Sequence, residues 1–380
     1  MRVPSLVFGL LLLASCLYTP SPEADQMSFE GSGDPTSYAR GFRIYNQEAY
    51  TMLEVRDPWQ QSRDVIFSYI LGPDPANVPD SLNQLPFIET PVKRVVAMST
   101  THVAMIEALD EGASIAGVSG ARYIYSPSLR SAIESGIVSD VGYGQGLDFE
   151  TIVRLDPDVI FLYGVEGNVM TILEKLRDLG IPAVFCGEYL ETHPLGKAEW
   201  IRFFSLFYEK EVEAGQFFKK IDSLYTANKA LAGTVDNKPL VLTGLPWKDS
   251  WYIAGGASFA ARLIEDAGGQ YLWADHPSSQ AVPMDLESVY SRAVNANIWI
   301  NPGAASSLQD LRGFDQRFEE LEVLQHGRVF NNNARVNPSG GNDYWESGAV
   351  RPDLVLKDLI TVFHPDLLTD HRFIYYRQLK

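Results

Sequence analysis

The side chains that could do covalent or metal chemistry in this chain are few and poorly spaced for it. Its six histidines, His102, His193, His276, His326, His364 and His371, form no i, i+4 pair and have no cysteine at ligand spacing, so a zinc-type centre is not indicated. No Gly-x-Ser-x-Gly elbow and no P-loop occur, and Gly142-Tyr-Gly-Gln-Gly146 is followed by Leu147 where a dinucleotide fingerprint needs glycine. Separated carboxylates could still converge in a cleft, which keeps an enzyme on the same scaffold as the alternative from another class. What the chain offers in quantity is binding chemistry. Tyr123, Tyr143, Tyr163, Trp247, Trp251, Tyr252, Tyr344 and Trp345 supply flat aromatic faces, and Arg122 and Arg335 supply guanidinium groups beside them. Such a set suits a large, partly conjugated ligand able to carry negative charge. His102 joins the candidates because it opens a helix, although side chains there more often satisfy orphan backbone donors than ligands. Direct histidine ligation of iron, as in a haem carrier, is therefore the lesser reading.

The elements that would hold these residues are written twice along the chain. Arg94-Val-Val-Ala-Met98, then a helix from Thr101 to Leu109, is answered by Leu240-Val-Leu-Thr243 and a helix from Ser258 to Ile264. Asp148-Phe-Glu150 ahead of Val159-Ile-Phe-Leu162 is answered by Asp285-Leu-Glu287 ahead of Ile298-Trp-Ile300. Leu173 to Gly180 with Ala183-Val-Phe185 is answered by Leu321 to Gly327 with Val329-Phe330. The period is too long for a solenoid and describes two similar α/β lobes with a cleft between them. In open α/β sheets ligands sit beyond the carboxyl ends of the strands, which places the aromatics and arginines named above at the cleft mouth. Between the halves, Glu211 to Leu231 carries apolar residues at the 3.6-residue period. About 20 helical residues span roughly 30 Å, a stiff connection that permits modest closure.

Composition sets the remaining limits. The chain has 380 residues, 46% of them hydrophobic, and a net charge of -17; the first two exceed a single ordinary core and exclude disorder, and the last argues against a nucleic-acid partner. At the start, Arg2 precedes the apolar run Leu6 to Leu13, too short to span a bilayer, and Leu13-Ala-Ser-Cys16 follows. That tetrapeptide resembles the bacterial lipoprotein signal, which implies acylation of Cys16 and a protein tethered to the membrane on the periplasmic side of a bacterial cell envelope. With Cys16 acylated, Cys186 has no disulfide partner, and at the end of an apolar run it reads as a buried, inert thiol. Residues 17–35 have a tether's composition. Three β-forming runs, Gly41 to Tyr45, Tyr50 to Val55 and Asp64 to Leu71, then read as a small antiparallel meander.

Taken in order, Gly142 to Glu150, Leu155 to Ile160, Leu179 to Phe185, Trp251 to Gly269 and Val362 to Leu367 resemble segments of the substrate-binding proteins of ABC importers for ferric siderophores and cobalamin. The resemblance covers about Val92 to Leu368. It implies an α/β fold of two Rossmann-like lobes joined by one long α-helix, here with a small N-terminal β extension. The expected organisation is a signal peptide at 1–16, a tether at 17–35, the β extension at 36–91, the first lobe at 92–198, a helical connection at 199–233 and the second lobe at 234–380. It further implies a monomer, without cofactor, that captures a metal chelate and passes it to the permease dimer and ATPase subunits of an importer. A ferric siderophore is the favoured cargo, with cobalamin or haem as alternatives. In that family an exposed glutamate on each lobe docks with permease arginines, and the matching positions are Glu150 and Glu287. The meander and the long loop Asn331 to Gly348 depart from the compact members.

Overall fold

Alternating apolar residues start the fold as an antiparallel ribbon. Strands β1 (Phe42–Asn46), β2 (Thr51–Arg56) and β3 (Ile66–Gly72) pair in succession, as the meander was expected to. A fourth strand, β4 (Phe87–Glu89), joins parallel to β3; three residues among prolines carry too little pattern to announce it. The computed structural model describes residues 36–164, 169–248 and 250–380. The expected signal segment, the tether and Cys16 lie outside the described residues.

The first α/β sheet contains β5 (Val95–Ala97), β6 (Ile115–Val118), β7 (Ser139–Asp140), β8 (Val159–Tyr163) and β9 (Ala183–Cys186), all parallel, in the order β7-β6-β5-β8-β9. Strands β5, β8 and β9 are continuous apolar runs buried almost throughout, as a sheet covered on both faces requires. The second sheet contains β10 (Leu240–Thr243), β12 (Gln270–Tyr271), β14 (Ile298–Ile300), β15 (Val329–Asn331) and β16 (Arg377–Gln378), in the order β12-β10-β14-β15-β16, with β16 an antiparallel edge. A separate antiparallel ribbon pairs β11 (Trp251–Ala254) with β13 (Ala281–Met284). The neighbours β5-β8-β9 and β10-β14-β15 are the segments that repeat in the sequence. Strand order reverses at β5/β8 and at β10/β14, and these crevices are where open α/β sheets bind ligands.

One helix, Glu211–Ala232, runs between the two sheets in sequence, one residue longer than its periodicity predicts. It buries Ala214, Phe218, Ile221, Tyr225 and Ala232 and packs against the helices Pro352–Phe363 and Ile201–Ser205. The first described residues are bound to this junction. Glu199 accepts the N–H groups of Ser37, Tyr38 and Ala39 at 2.7 to 2.8 Å, and Glu191 accepts those of Arg40 and Gly41 at 2.8 and 3.0 Å. Both carboxylates are buried, so each depends on such donors; Glu191 also accepts the Trp200 indole N–H at 3.1 Å, and Glu199 is paired with Arg202 at 3.4 Å. Tyr38 also donates to Asp222 of the long helix at 2.9 Å. Among the described residues no helix is long and apolar enough to cross a membrane.

Candidate ligand-binding site

At the carboxyl end of β5 the chain turns through Met98 and Ser99 into the helix Thr100–Ala108, with Ser99 as its cap. Beyond β6 come Ser119 and a turn that presents Tyr123; Tyr143 follows β7, and Tyr163 ends β8. Gly120 sits at φ +67, and a Cβ there would stand 2.9 Å from the Tyr123 ring, so only glycine lets that ring fold back. From the second lobe Gly340, Asn342 and Trp345 close over these residues. Together they enclose a cavity of about 280 Å³. Tyr123 and Tyr143 meet edge to face with centroids 6.0 Å apart, and the Tyr163 hydroxyl lies 3.4 Å from that of Tyr143. Trp345 is 58% exposed and Tyr143 51%, which leaves wide aromatic faces for a guest.

The loop after β15 makes one of the contacts between the lobes. Asn337 donates to the Ile124 carbonyl at 2.6 Å, and the Thr100 hydroxyl donates to the Trp345 carbonyl at 3.3 Å. Gly341 lies so close that a Cβ would be 2.7 Å from the Tyr123 carbonyl oxygen. Glu346 accepts the N–H groups of Tyr125 and Ser126 at 2.7 Å each. Burial pushes its carboxyl up, those two bonds oppose the rise, and Glu107 and Asp343 add to it, leaving a pKa of about 7.

Not every aromatic and cation expected at the mouth is there. Tyr123, Tyr143, Tyr163 and Trp345 line the cavity. His102 does not, for it is fully enclosed, with Nε2 3.7 Å from a Glu188 carboxylate oxygen and its ring beneath Tyr163. Trp251 is fully enclosed too, donating to the Thr243 carbonyl at 3.0 Å and packing on Trp299, so it belongs to the core of the second lobe. Tyr344 is buried against Tyr375 and Tyr376. Arg335 pairs with Asp343 at 3.1 Å, lies over the Tyr125 ring and faces a second cavity of about 610 Å³ with Glu107, Glu346 and Arg351. Its charge is committed there, away from the aromatic cavity. Arg122 lies 4.5 Å over the Tyr123 ring and donates to that residue's hydroxyl, without itself lining the cavity. Trp247 and Tyr252 are exposed on the β10–β11 loop and on β11, with Lys248 over the Trp247 ring at 4.3 Å, and neither lines the cavity.

Residues the sequence reasoning did not single out are Met98, Ser119 and Asn342 in the lining, and Glu188 behind it. Each follows a strand end or lies in the long loop, which was the available signal. Glu188 is buried; burial pushes its carboxyl up, but the His102 imidazole beside it and the Thr101 hydroxyl bonded to it at 2.6 Å win, holding it below the usual range.

Glu150 and Glu287 occupy the first turns of the helices Phe149–Leu155 and Leu286–Ala293. The capping is done by Asp148 and Asp285, whose side chains accept from Thr151 and Ser288, so neither glutamate serves as a cap. Glu287 has a 76% exposed side chain paired with Arg317 at 3.1 Å, and Arg317 also holds Asp315 at 2.8 Å.

Residues 95–335 match the family described as periplasmic binding protein. The chain belongs to that family. This periplasmic binding protein is 30% identical over 291 residues to a lipoprotein of Methanocaldococcus jannaschii whose role is uncharacterised, an alignment covering 73% of this chain and 67% of the relative. A second lipoprotein of that organism is 27% identical over 308 residues, covering 77% and 75%. Among solved structures, the fold is similar to a possible iron-binding solute-binding protein from Staphylococcus epidermidis (TM-score 0.56, 17% identity, 72% of this chain, 99% of that one). It is also similar to a periplasmic haem-binding protein from Roseiflexus (0.56, 18%, 72% and 99%) and to a vitamin B12 binding protein of Vibrio cholerae (0.51, 14%, 72% and 96%). At these identities the structures establish the two-lobed α/β fold. Family members are binding proteins that deliver ligands to ABC transporters, not enzymes.

Proposed function

We propose that this periplasmic binding protein is a lipid-anchored carrier that captures a metal chelate, a ferric siderophore in preference to cobalamin or haem, and delivers it to an ABC importer. The observation that carries the reading is the cavity walled by Tyr123, Tyr143, Tyr163 and Trp345 between two lobes. Four aromatic rings lining one space favour a bulky ligand with flat, conjugated surface over a sugar or amino acid. The neighbours described as iron-, haem- and B12-binding support the class of cargo. The lipoprotein relatives support an anchor at Cys16. Delivery is assigned to Glu150 and Glu287, which stand alike in the first turns of equivalent helices, ahead of equivalent strands. Carboxylates there would form charge-assisted bonds with permease arginines once water is excluded.

Titration of the purified protein with ferric trihydroxamate, ferric tricatecholate, cobalamin and haem, followed by tryptophan fluorescence, tests the cargo. Stoichiometric quenching by a ferric siderophore with no product released is expected. Tight cobalamin or haem binding with no siderophore response would overturn the choice of cargo, and turnover of a bound compound would overturn the carrier reading.

A further inference from the structure

The N-terminal sheet does more than cover an edge. Strand β9 is an outer strand of the first α/β sheet, and such an edge needs a partner or a cover. The Tyr69 hydroxyl accepts the Phe185 N–H there at 3.1 Å, and Phe67 packs on the Phe185 ring with centroids 4.7 Å apart. Those two contacts account for a cover. The turn between β2 and β3 reaches further, to the residues that follow β8 and β9. A Cβ on Gly164 would stand 2.6 Å from the Trp59 Cβ and 2.8 Å from the Pro58 carbonyl oxygen, and one on Gly187 would meet the Pro58 Cα at 3.7 Å. The turn therefore stands at the carboxyl ends of these strands, where the Tyr163 ring enters the cavity wall.

Gly164 is the neighbour of Tyr163, and its missing side chain lets the turn lie against the backbone that carries this ring. The ring has a second tie to the turn. Tyr189 stands edge-on to Tyr163 with centroids 6.2 Å apart, and its hydroxyl donates to the Pro58 carbonyl at 3.4 Å. The turn is braced on its own account. Asp57 donates its N–H to the Val65 carbonyl at 2.8 Å, the Ser62 hydroxyl donates to the Trp59 carbonyl at 2.6 Å, and the Trp59 ring packs on Phe67 and Phe185 with centroids 5.9 and 5.6 Å away. Neither Trp59 nor Tyr189 lines the cavity, so an effect of either on binding has to pass through Tyr163.

We infer that the N-terminal β extension is part of the binding apparatus: its Pro58–Trp59 turn, directly at Gly164 and through Tyr189, holds Tyr163 in the cavity wall, which makes Trp59 and Tyr189 positioning residues for the ligand. This rests on the reading of the aromatic cavity as the ligand site. A ring that is free to shift offers a guest its working position only part of the time, and affinity falls by that fraction.

The test is a double-mutant cycle read by calorimetric titration with a ferric linear trihydroxamate. Trp59→Ala and the gentler Tyr189→Phe, which unties the ring from Pro58 and keeps its packing, should each weaken binding about threefold to tenfold. In a Tyr163→Ala background the same changes should alter affinity by less than about twofold. A second readout needs no ligand. In protein labelled with 3-fluorotyrosine, the Tyr163 line, assigned by its loss in Tyr163→Phe, should broaden or split in Trp59→Ala while that of Tyr271 in the second lobe stays unchanged. Undiminished affinity in both variants, an equal loss in the Tyr163→Ala background, or an unaltered Tyr163 line in Trp59→Ala would overturn the inference and leave the chelate reading in place. Absence of binding by the wild-type protein would count against the siderophore cargo, and the Tyr163 line alone would then decide the inference.

Discussion

Glu346 should make closure of the two lobes respond to pH. Its carboxylate sits on the second lobe, is almost wholly buried and accepts two backbone N–H groups of the first lobe. With the lobes together burial has raised its pKa to about 7 from 4.5, the value expected where water reaches it. The protonated form therefore favours the folded, closed molecule: the stabilisation is complete below about 4.5 and is lost as pH climbs through about 7. Integrated between pH 8 and pH 5, that difference is roughly 2 to 3 kcal/mol, or about 3 °C in Tm for a chain of this size. Glu346→Gln keeps the side-chain shape, cannot titrate and gives up one of the two acceptor oxygens. Differential scanning calorimetry of both proteins from pH 5 to pH 8 should show wild type gaining about 3 °C over the variant on acidification. Glu191, also pushed up by burial, is common to both proteins and cancels in the difference. A gap between wild type and variant that stays constant across the range would refute the reasoning.

Other outcomes are expected. Trp345→Ala should weaken chelate binding by about tenfold in a fluorescence titration and leave Tm within a few degrees, because the ring is largely exposed. Trp251→Ala should instead cost about 3 to 5 kcal/mol in a denaturant melt, as the loss of an enclosed core ring does. Glu150→Ala together with Glu287→Ala should preserve affinity and Tm while abolishing stimulated ATP hydrolysis by the reconstituted importer; normal delivery by the double variant would remove the docking assignment. Small-angle scattering with and without chelate should show little change in radius of gyration, since the Glu211–Ala232 connection is one helix.

The repeated architecture was legible because it is locally encoded: apolar runs of three to five residues, an aspartate cap ahead of each glutamate-bearing helix, and a long stretch at helical period. The first-lobe wall was legible for the same reason, as strand ends put Tyr123, Tyr143 and Tyr163 on one edge. Choosing a face was harder. In β11 Trp251 points inward and Tyr252 outward, and a period of two says only that they differ. The helix Thr100–Ala108 buries His102, Val103, Ala104, Met105 and Ile106 in succession; a helix apolar nearly all round has its core inside the protein, and that was the overlooked sign that His102 is enclosed. Arg335 and Trp345 lie ten positions apart on one loop and face different cavities, a separation only the packed lobes decide.

The way the chain enters the fold also has a mechanical meaning. Five consecutive backbone N–H groups, from Ser37 to Gly41, are gripped by two buried carboxylates beside the long helix. Tension arriving along the backbone from residue 36 loads those bonds as a group before it reaches either sheet. The leash of an anchored carrier would thus pull at the pivot, where force has almost no lever arm on the opening of the cleft. Thermal tugging at the membrane would reorient the whole body without prising out its cargo.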